Sequence, residues 1–524
     1  MTTSRALTLA VAVVATAAGF ASTARSQAAS SRRTVITLSP TATAGAVGAL
    51  RSGGAREIDH QLRMWVVGGK RGKRTLALLR HRGELALEAP VRHYAVSETT
   101  TPPVDPLVPT EWWRAAIDAE GLEPPGPGVP VTVVDSGVDL GHPEFVGRPD
   151  LLALNPQEPA PLGGEHGTMV TSVIGAPING VGTVGIYPRA AIRSWDTALG
   201  NGQALDSVQI AQGILAAARA GRGVINLSLG GSRDGTIELA IDEAVARGSL
   251  VVAAAGNDGE NGSPLSYPAA EHHVLTVAAT DANGQVTSFS SRSPYVDLAA
   301  PGEGIMVASA ISGGWEEASG TSFSAPIVSG AAAWLWTMRP ELDASQVAEI
   351  LRRSARDILP TGRDTASGFG LLDVGAALSA PTPPSDPLEP NDTIASVTPG
   401  TAANVAHAPA LTSPTRARAT IVGLEDRYED PTDVYRVWIP ARRRLSLTLS
   451  SSGDNDLKLS SGGATPRLLA PAARVRGPLE QLTFTNTAAG RYAYAVVTLA
   501  AETTGATYRL SARVSSENAR ALSR

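Results

Sequence analysis

"TIELAIDEAVARGSLVVAAAGN", residues 236–257, changes character at Gly248. Ahead of the glycine, Ile237, Ile241, Ala244 and Val245 recur at three- and four-residue spacing, the apolar face of a helix. Beyond it, "LVVAAAGN" (250–257) is continuous apolar text, as a strand buried on both faces requires. Gly248 itself suits the left-handed cap that ends a helix. The same alternation recurs upstream. "VPVTVVD" (129–135) is a β-branched run, and "ALDSVQIAQGILAAARA" (204–220) is a helix leading into the apolar strand "GVINLSL" (223–229). Strand and helix in turn predict an α/β fold, a parallel sheet with helices on both faces. In such sheets chemistry gathers beyond the carboxyl ends of the strands.

Outside this block the text changes. "ETTTPPVDPLVP" (98–109) and "SAPTPPSDPLEPND" (379–392) are proline-rich linkers that no central strand or helix crosses. Residues 33–97, with "TVITL", "MWVV" and "LALEA", read as a small mixed or β-rich unit. After the second linker, "DVYRVWI" (433–439), "RLSLTLS" (444–450) and "RYAYAVVTL" (491–499) alternate with period two, the pattern of a β-sandwich-like domain. A chain of 524 residues exceeds what one hydrophobic core usually holds, in keeping with several units.

At the N-terminus, Arg5 precedes a charge-free apolar run, "ALTLAVAVVATAAGFA" (6–21), with small residues near Ala24 and Ala28. This is the pattern of a secretory signal peptide over 1–28, with an uncleaved anchor as the competing reading. No later segment is apolar for long enough to span a membrane, so a secreted protein is expected. Cysteine is absent, which excludes disulfides, thiolate metal sites and a thiol nucleophile.

Charge is unevenly spread. Residues 1–100 carry 14 basic and 5 acidic side chains, whereas 101–380 carry 14 and 31, with no lysine. The acidic middle argues against a nucleic-acid partner. A basic leader before an acidic domain suggests that the two meet, the competing view being that "GGKRGKRTLALLRHR" (68–82) is a solvated loop.

Four side chains in the α/β block carry candidate chemistry. Asp135 ends the first buried strand, in "VVDSGVDLGHPEF", where a carboxylate can orient a base or merely cap a turn. His166 opens the helix of "GGEHGTMVTSVIGA" (163–176) and is either a base or a polar contact. Asn257 closes "LVVAAAGN", where its amide can donate to an oxyanion or serve the turn. Ser322 lies in "EEASGTSFSAPIVSGAAAWLW" (316–336), at the mouth of a buried helix. Unpaired N–H groups there would stabilise the oxyanion of a serine attack. Pro326 cannot donate to the carbonyl of Ser322, which loosens the first turn. The hydroxyls of Ser319, Thr321 and Ser324 are read as capping and packing.

Taken together, "VVDSGVD", "HGTMVTSVIGA" and "SGTSFSAP" resemble the three catalytic blocks of the subtilisin-like serine proteases (subtilases). "INLSLGG" (225–231), "YPAA" (267–270), "VTSFSSRSPYVDLAAPG" (286–302) and "GFGLLDVGAAL" (368–378) are similar to the connecting text, so the resemblance covers about 105–378. It implies a triad of Asp135, His166 and Ser322 and an oxyanion donor in Asn257. It also implies that Ser228, Leu229 and Gly230 on one side, and Ala254, Ala255 and Gly256 on the other, flank the substrate backbone. Met169 and Thr171 depart from the usual His and Ala, and Phe323 stands where a smaller or thioether side chain is common. Asp139, His142 and Glu165, near the triad, are taken as structural.

The implied organisation is a signal peptide (1–28), an inhibitory prosegment (30–100), a catalytic domain (105–378), a linker (379–390) and an accessory domain (391–516). The last resembles bacterial pre-peptidase C-terminal domains through "DPLEPNDTIASVTP" (386–399) and "GRYAYAVV" (490–497). The expected function is a secreted serine endopeptidase, made as a self-processed zymogen cut between about 93 and 106. It would act on protein substrates as a monomer, hold its own prosegment, and need no catalytic cofactor; calcium at structural sites is a family expectation without an assigned loop. The acidic cluster "EDRYEDPTD" (425–433) is read as a surface loop, with ion ligation as its alternative. Two other functions compete. An esterase on an α/β-hydrolase fold needs a G-x-S-x-G elbow, which Ser322 lacks. An inactive binding protein on the same fold does not account for all four catalytic side chains being present.

Overall fold

The computed structural model describes residues 34–516, apart from 62, 91–104, 158–163, 199–204, 360, 429, 464, 471–478 and 502. The expected signal peptide and most of the expected processing region fall outside the described residues. The chain separates into two units, residues 1–100 and 101–524.

In the first unit four antiparallel strands run in the order Arg56–Asp59, Met64–Val67, Thr34–Leu38, Leu85–Pro90. With helices Ala44–Ser52 and Gly69–His81 this makes a β-α-β-β-α-β unit around Ile36, Leu50, Trp65 and Leu79. The stretch 68–82 is therefore a helix, not a loop. Gly72, Leu76 and Leu79 are buried at three- and four-residue spacing, a face that the surrounding basic residues obscure in the sequence.

The second unit is built on a seven-stranded sheet. Its order is Leu298–Pro301, Val274–Thr280, Leu250–Ala254, Val224–Leu227, Val131–Asp135, Ile192–Asp196, Leu151–Ala153, and all pairings are parallel. The chain leaves the central strand Val131–Asp135 toward one edge and returns to build the other side, so the strand order reverses beside Val224–Leu227. Ligands of open α/β sheets bind at such a reversal. Helices Ser207–Arg219 and Gly235–Ala246 pack their Ile210, Ile214, Ile241 and Ala244 on one face of the sheet. Asp206 and Asp234 cap them by accepting N–H bonds at 2.7 and 2.8 Å. The other face receives helix Thr321–Met338, which is buried on nearly every side and accordingly apolar all round.

The C-terminal region is two four-stranded antiparallel sheets. One contains Arg418–Asp426, Gly505–Ser516, Arg443–Ser451 and Leu479–Asn486; the other contains Thr432–Ile439, Arg491–Leu499, Asn455–Ser460 and Leu468–Ala470. Tyr435, Val437, Leu447, Leu459, Ala495 and Leu510 fill the space between them.

Residues 380–392 form no helix or strand, in keeping with a proline-rich connection, and they are fastened to the parallel-sheet domain. Ala380 and Pro383 carbonyls accept from Arg339 and Gln346 at 2.7 and 2.8 Å, and Asn391 is fully buried. One reading changes here: the cluster 425–433 is not a surface loop, because Glu425, Asp430 and Asp433 are buried where the sandwich meets the parallel-sheet domain. Tyr428 from the same stretch lies under the Arg363 guanidinium, 4.3 Å from its ring centre. Among the described residues no helix is long and apolar enough to cross a membrane.

Candidate active site

Asp135 is held at the end of the central strand. Its carbonyl accepts from the N–H and hydroxyl of Thr197 at 2.8 and 2.9 Å, and its Oδ1 accepts from the N–H of Ser136 at 2.7 Å. The side chain is 2% exposed. Helix Glu165–Gly175 begins directly opposite, with Gly167 so close that a Cβ on it would stand 1.9 Å from the Gly137 carbonyl oxygen. That approach brings His166 Nδ1 to 2.9 and 3.0 Å from the two Asp135 oxygens. Burial works against the charged imidazole. The Asp135 charge and hydrogen bond, with Glu165 behind them, outweigh it and hold His166 above its ordinary value of 6.5.

Ser322 is the second residue of helix Thr321–Met338, where N–H groups lack intrahelical partners and the helix end carries partial positive charge. Its hydroxyl donates to the Ser228 carbonyl at 3.3 Å, and its own carbonyl accepts from the Ser228 hydroxyl at 2.9 Å. Phe323 beside it places its ring 6.1 Å from that of His166. The N-cap residue is Gly320, which has no side chain of its own to offer the helix start. The neighbouring hydroxyls act elsewhere. Ser319 accepts from the Gly304 N–H at 3.0 Å and Ser324 donates to the Pro301 carbonyl at 3.2 Å, tying helix entry to loop 301–304.

Thr321, read from sequence as capping, instead clamps Asn257. Asn257 Oδ1 accepts from its N–H at 2.9 Å and its hydroxyl at 3.0 Å, while the Gly256 N–H reaches the same hydroxyl at 3.2 Å. With Oδ1 so engaged, Nδ2 is the outward face of the amide, and Gly320 leaves room there: a Cβ on it would lie 3.3 Å away. The only sequence signal for this role is the position of Thr321, directly before the helix-start serine.

A cleft of about 550 Å³ runs past Ser322 and Asn257. Ser228, Leu229 and Gly230 line it, with Ala254 and Gly256 from the neighbouring strand end and Leu265 from the following loop. Ala255 is buried behind it, 6% exposed, and does not line it. Asp139, His142 and Glu165 are committed to local bonds. Asp139 binds the Gly141 N–H at 2.9 Å, His142 Nε2 lies 2.9 Å from the Gly314 carbonyl oxygen, and Glu165 accepts from Ser309 and Ile311 at 2.9 and 2.6 Å. Met169 packs against the main core, and Thr171 is buried.

A family model described as the subtilase family matches residues 126–370. Subtilisin E of Bacillus subtilis (strain 168) is 36% identical over 261 residues, covering 48% of this chain and 66% of that protein. Subtilisin of Bacillus pumilus is 36% identical over 258 residues, covering 48% of this chain and 91% of that protein. The chain thus spans a little under two thirds of the first of these relatives and nearly all of the second. Among solved structures, "S41 Psychrophilic Protease" is similar at 28% identity and a TM-score of 0.45, covering 50% of this chain and 97% of that one.

Proposed function

We propose, for a chain that belongs to the subtilase family, a serine-type endopeptidase in which Asp135, His166 and Ser322 form the triad and Asn257 donates to the oxyanion. The observation that carries the reading is the bond between His166 Nδ1 and the buried Asp135 carboxylate. A carboxylate accepts only, so the proton sits on Nδ1 and Nε2 keeps its lone pair. Nε2 takes the Ser322 proton as the hydroxyl attacks a peptide carbonyl. The same nitrogen then protonates the leaving amine, and water repeats the sequence on the acyl-enzyme. Asp135 holds the tautomer and stabilises the imidazolium. Asn257 Nδ2 and the Ser322 N–H receive the oxyanion, and no step calls for a cofactor. The peptide lies along Ser228–Gly230 and Ala254–Gly256, with one side chain in the cleft. Before attack, the Ser322 hydroxyl leaves the Ser228 carbonyl, which then serves the substrate backbone.

The protein is secreted and self-processed in this proposal, residues 30–100 acting as an inhibitory prosegment. Charge supports the pairing: the leader is strongly basic and the domain it precedes is acidic. Residues 391–516 serve as an accessory domain of the pre-peptidase C-terminal kind.

The test is expression of Ser322→Ala beside the native chain, following both chain length and casein hydrolysis. The native chain shortens to a form beginning near residue 100 and hydrolyses casein, whereas the variant keeps its leader and is inert. Equal processing and hydrolysis by the variant would overturn the assignment.

A further inference from the structure

Asn226 interrupts the apolar run of strand Val224–Leu227, the middle strand of the parallel sheet. Val133 pairs with it on one side and Val252 on the other, and it is fully buried. A primary amide in such a place costs free energy unless both of its ends find partners.

Both ends do, and both lead to one helix. Nδ2 donates to Ser228 Oγ at 3.0 Å, and the Ser228 hydroxyl donates in turn to the Ser322 carbonyl at 2.9 Å. Oδ1 accepts from the Ser329 hydroxyl at 2.9 Å, and Ser329 is fully buried as well. The bonds thus run in one direction, from Ser329 through the amide to the Ser322 carbonyl. A hydroxyl has a single proton, and with the amide N–H already meeting Ser228 Oγ, that proton goes to Ser322. Ser322 and Ser329 stand seven residues apart on helix Thr321–Met338, two turns along one face. Between them lies Pro326, which leaves the Ser322 carbonyl without its helical N–H. The turn least able to hold itself is therefore the one that Asn226 bridges.

We infer that Asn226 is a positioning residue for Ser322. It fixes the Ser228 hydroxyl and, through it, the first turn of the helix and the place where Ser322 Oγ stands. This rests on the reading of Ser322 as nucleophile. Asn226 does not line the cleft and acts through Ser228, whose main-chain carbonyl also accepts from the Ser322 hydroxyl at 3.3 Å. Only an amide of this shape gives a proton at one end and accepts one at the other. An ionised aspartate would draw the Ser228 proton away from the Ser322 carbonyl, and leucine would offer no bond at all.

The test compares the native enzyme, Asn226→Ala, Ser228→Ala and the double variant on a peptide anilide. Turnover is expressed per active site, counted by organophosphorus labelling. Asn226→Ala should lower kcat about ten- to a hundredfold and leave KM nearly unchanged, since misplacing a reacting group by about 1 Å is worth about 10². In the Ser228→Ala background the same substitution should lower kcat no further, because its route to Ser322 is already cut. Should Asn226→Ala lack a cooperative melt, Ser329→Ala takes its place, freeing the amide to turn over at the loss of a single hydroxyl. A folded variant with native kcat per site overturns the inference, as do additive losses in the cycle. Ser322→Ala is measured beside them. If it hydrolyses the anilide like the native enzyme, the catalytic reading itself has failed. An inert Ser322→Ala beside a fully active Asn226→Ala overturns the role of Asn226 alone.

Discussion

The Ser228 hydroxyl donates to the Ser322 carbonyl at 2.9 Å. That carbonyl is the one Pro326, lacking an N–H, leaves without its helical partner. A kink-prone first turn is thus stabilised from the neighbouring strand end. Ser228→Ala should cost about 1–3 kcal/mol in denaturant unfolding, because it removes the donor to this part-buried carbonyl and leaves the buried Asn226 amide, 3.0 Å from the same hydroxyl, without its acceptor. Pro326→Ala should be less harmful in the Ser228→Ala background than alone, since it restores a donor. Strictly additive effects in the double-mutant cycle would show that the two residues do not share this carbonyl.

Asn257 makes the second prediction. Its amide is oriented by Thr321, so Asn257→Ala should lower kcat and leave KM nearly unchanged. A subtilisin deprived of such a donor loses about 10²–10³ in kcat, and that figure is taken over as the expectation. Thr321→Val, which keeps the N–H bond and removes the hydroxyl, should fall between the two. An Asn257→Ala enzyme with native kcat would remove Asn257 from the chemistry.

The pH profile follows from His166. The base acts when neutral, and Asp135 holds its pKa above 6.5, so kcat/KM should rise with pH along a limb centred above that value. In Asp135→Asn the supporting charge is gone while burial remains, so the limb should move to lower pH and the rate should drop. An unmoved limb would mean that another group titrates.

Glu144 gives a stability prediction away from the chemistry. Its Oε2 accepts from Trp315 and Thr183 at 2.7 and 3.2 Å, while Oε1 is buried without a hydrogen-bond partner. Burial pushes this carboxyl from 4.5 up to about 7. The folded state therefore keeps a proton that the unfolded chain releases. The resulting stability is fully present below pH 4.5 and is lost as pH rises through about 7. It amounts to at most about 3 kcal/mol. Glu144→Gln should flatten this part of the stability curve. Parallel native and variant curves across that window would contradict the assignment.

The α/β fold was legible because strands buried on both faces and amphipathic helices leave opposite periodicities, as on either side of Gly248. The positions of Asp135, His166, Asn257 and Ser322 at strand ends and helix starts were legible for the same reason. Helix Gly69–His81 was not, because five basic residues conceal a buried face of only Gly72, Leu76 and Leu79. Nor was the burial of Asp430 and Asp433, which depends on their meeting Asp386 and Glu389, some forty residues earlier in the chain. Local pattern carries no record of such pairings. The clamp of Thr321 on Asn257 is missing from the sequence reading for the same reason: the two lie 64 residues apart and meet only once the sheet is built.

Covalent labelling distinguishes Ser322 as the nucleophile from every other serine of the chain. The mature protein would be treated with an organophosphorus fluoridate, which phosphorylates activated serines, and the adduct located by peptide mass spectrometry. One adduct per chain is expected, on Ser322, formed in parallel with loss of casein hydrolysis and absent from His166→Ala. An active protein that is inhibited by labelling at another serine, with Ser322 unmodified, would contradict it.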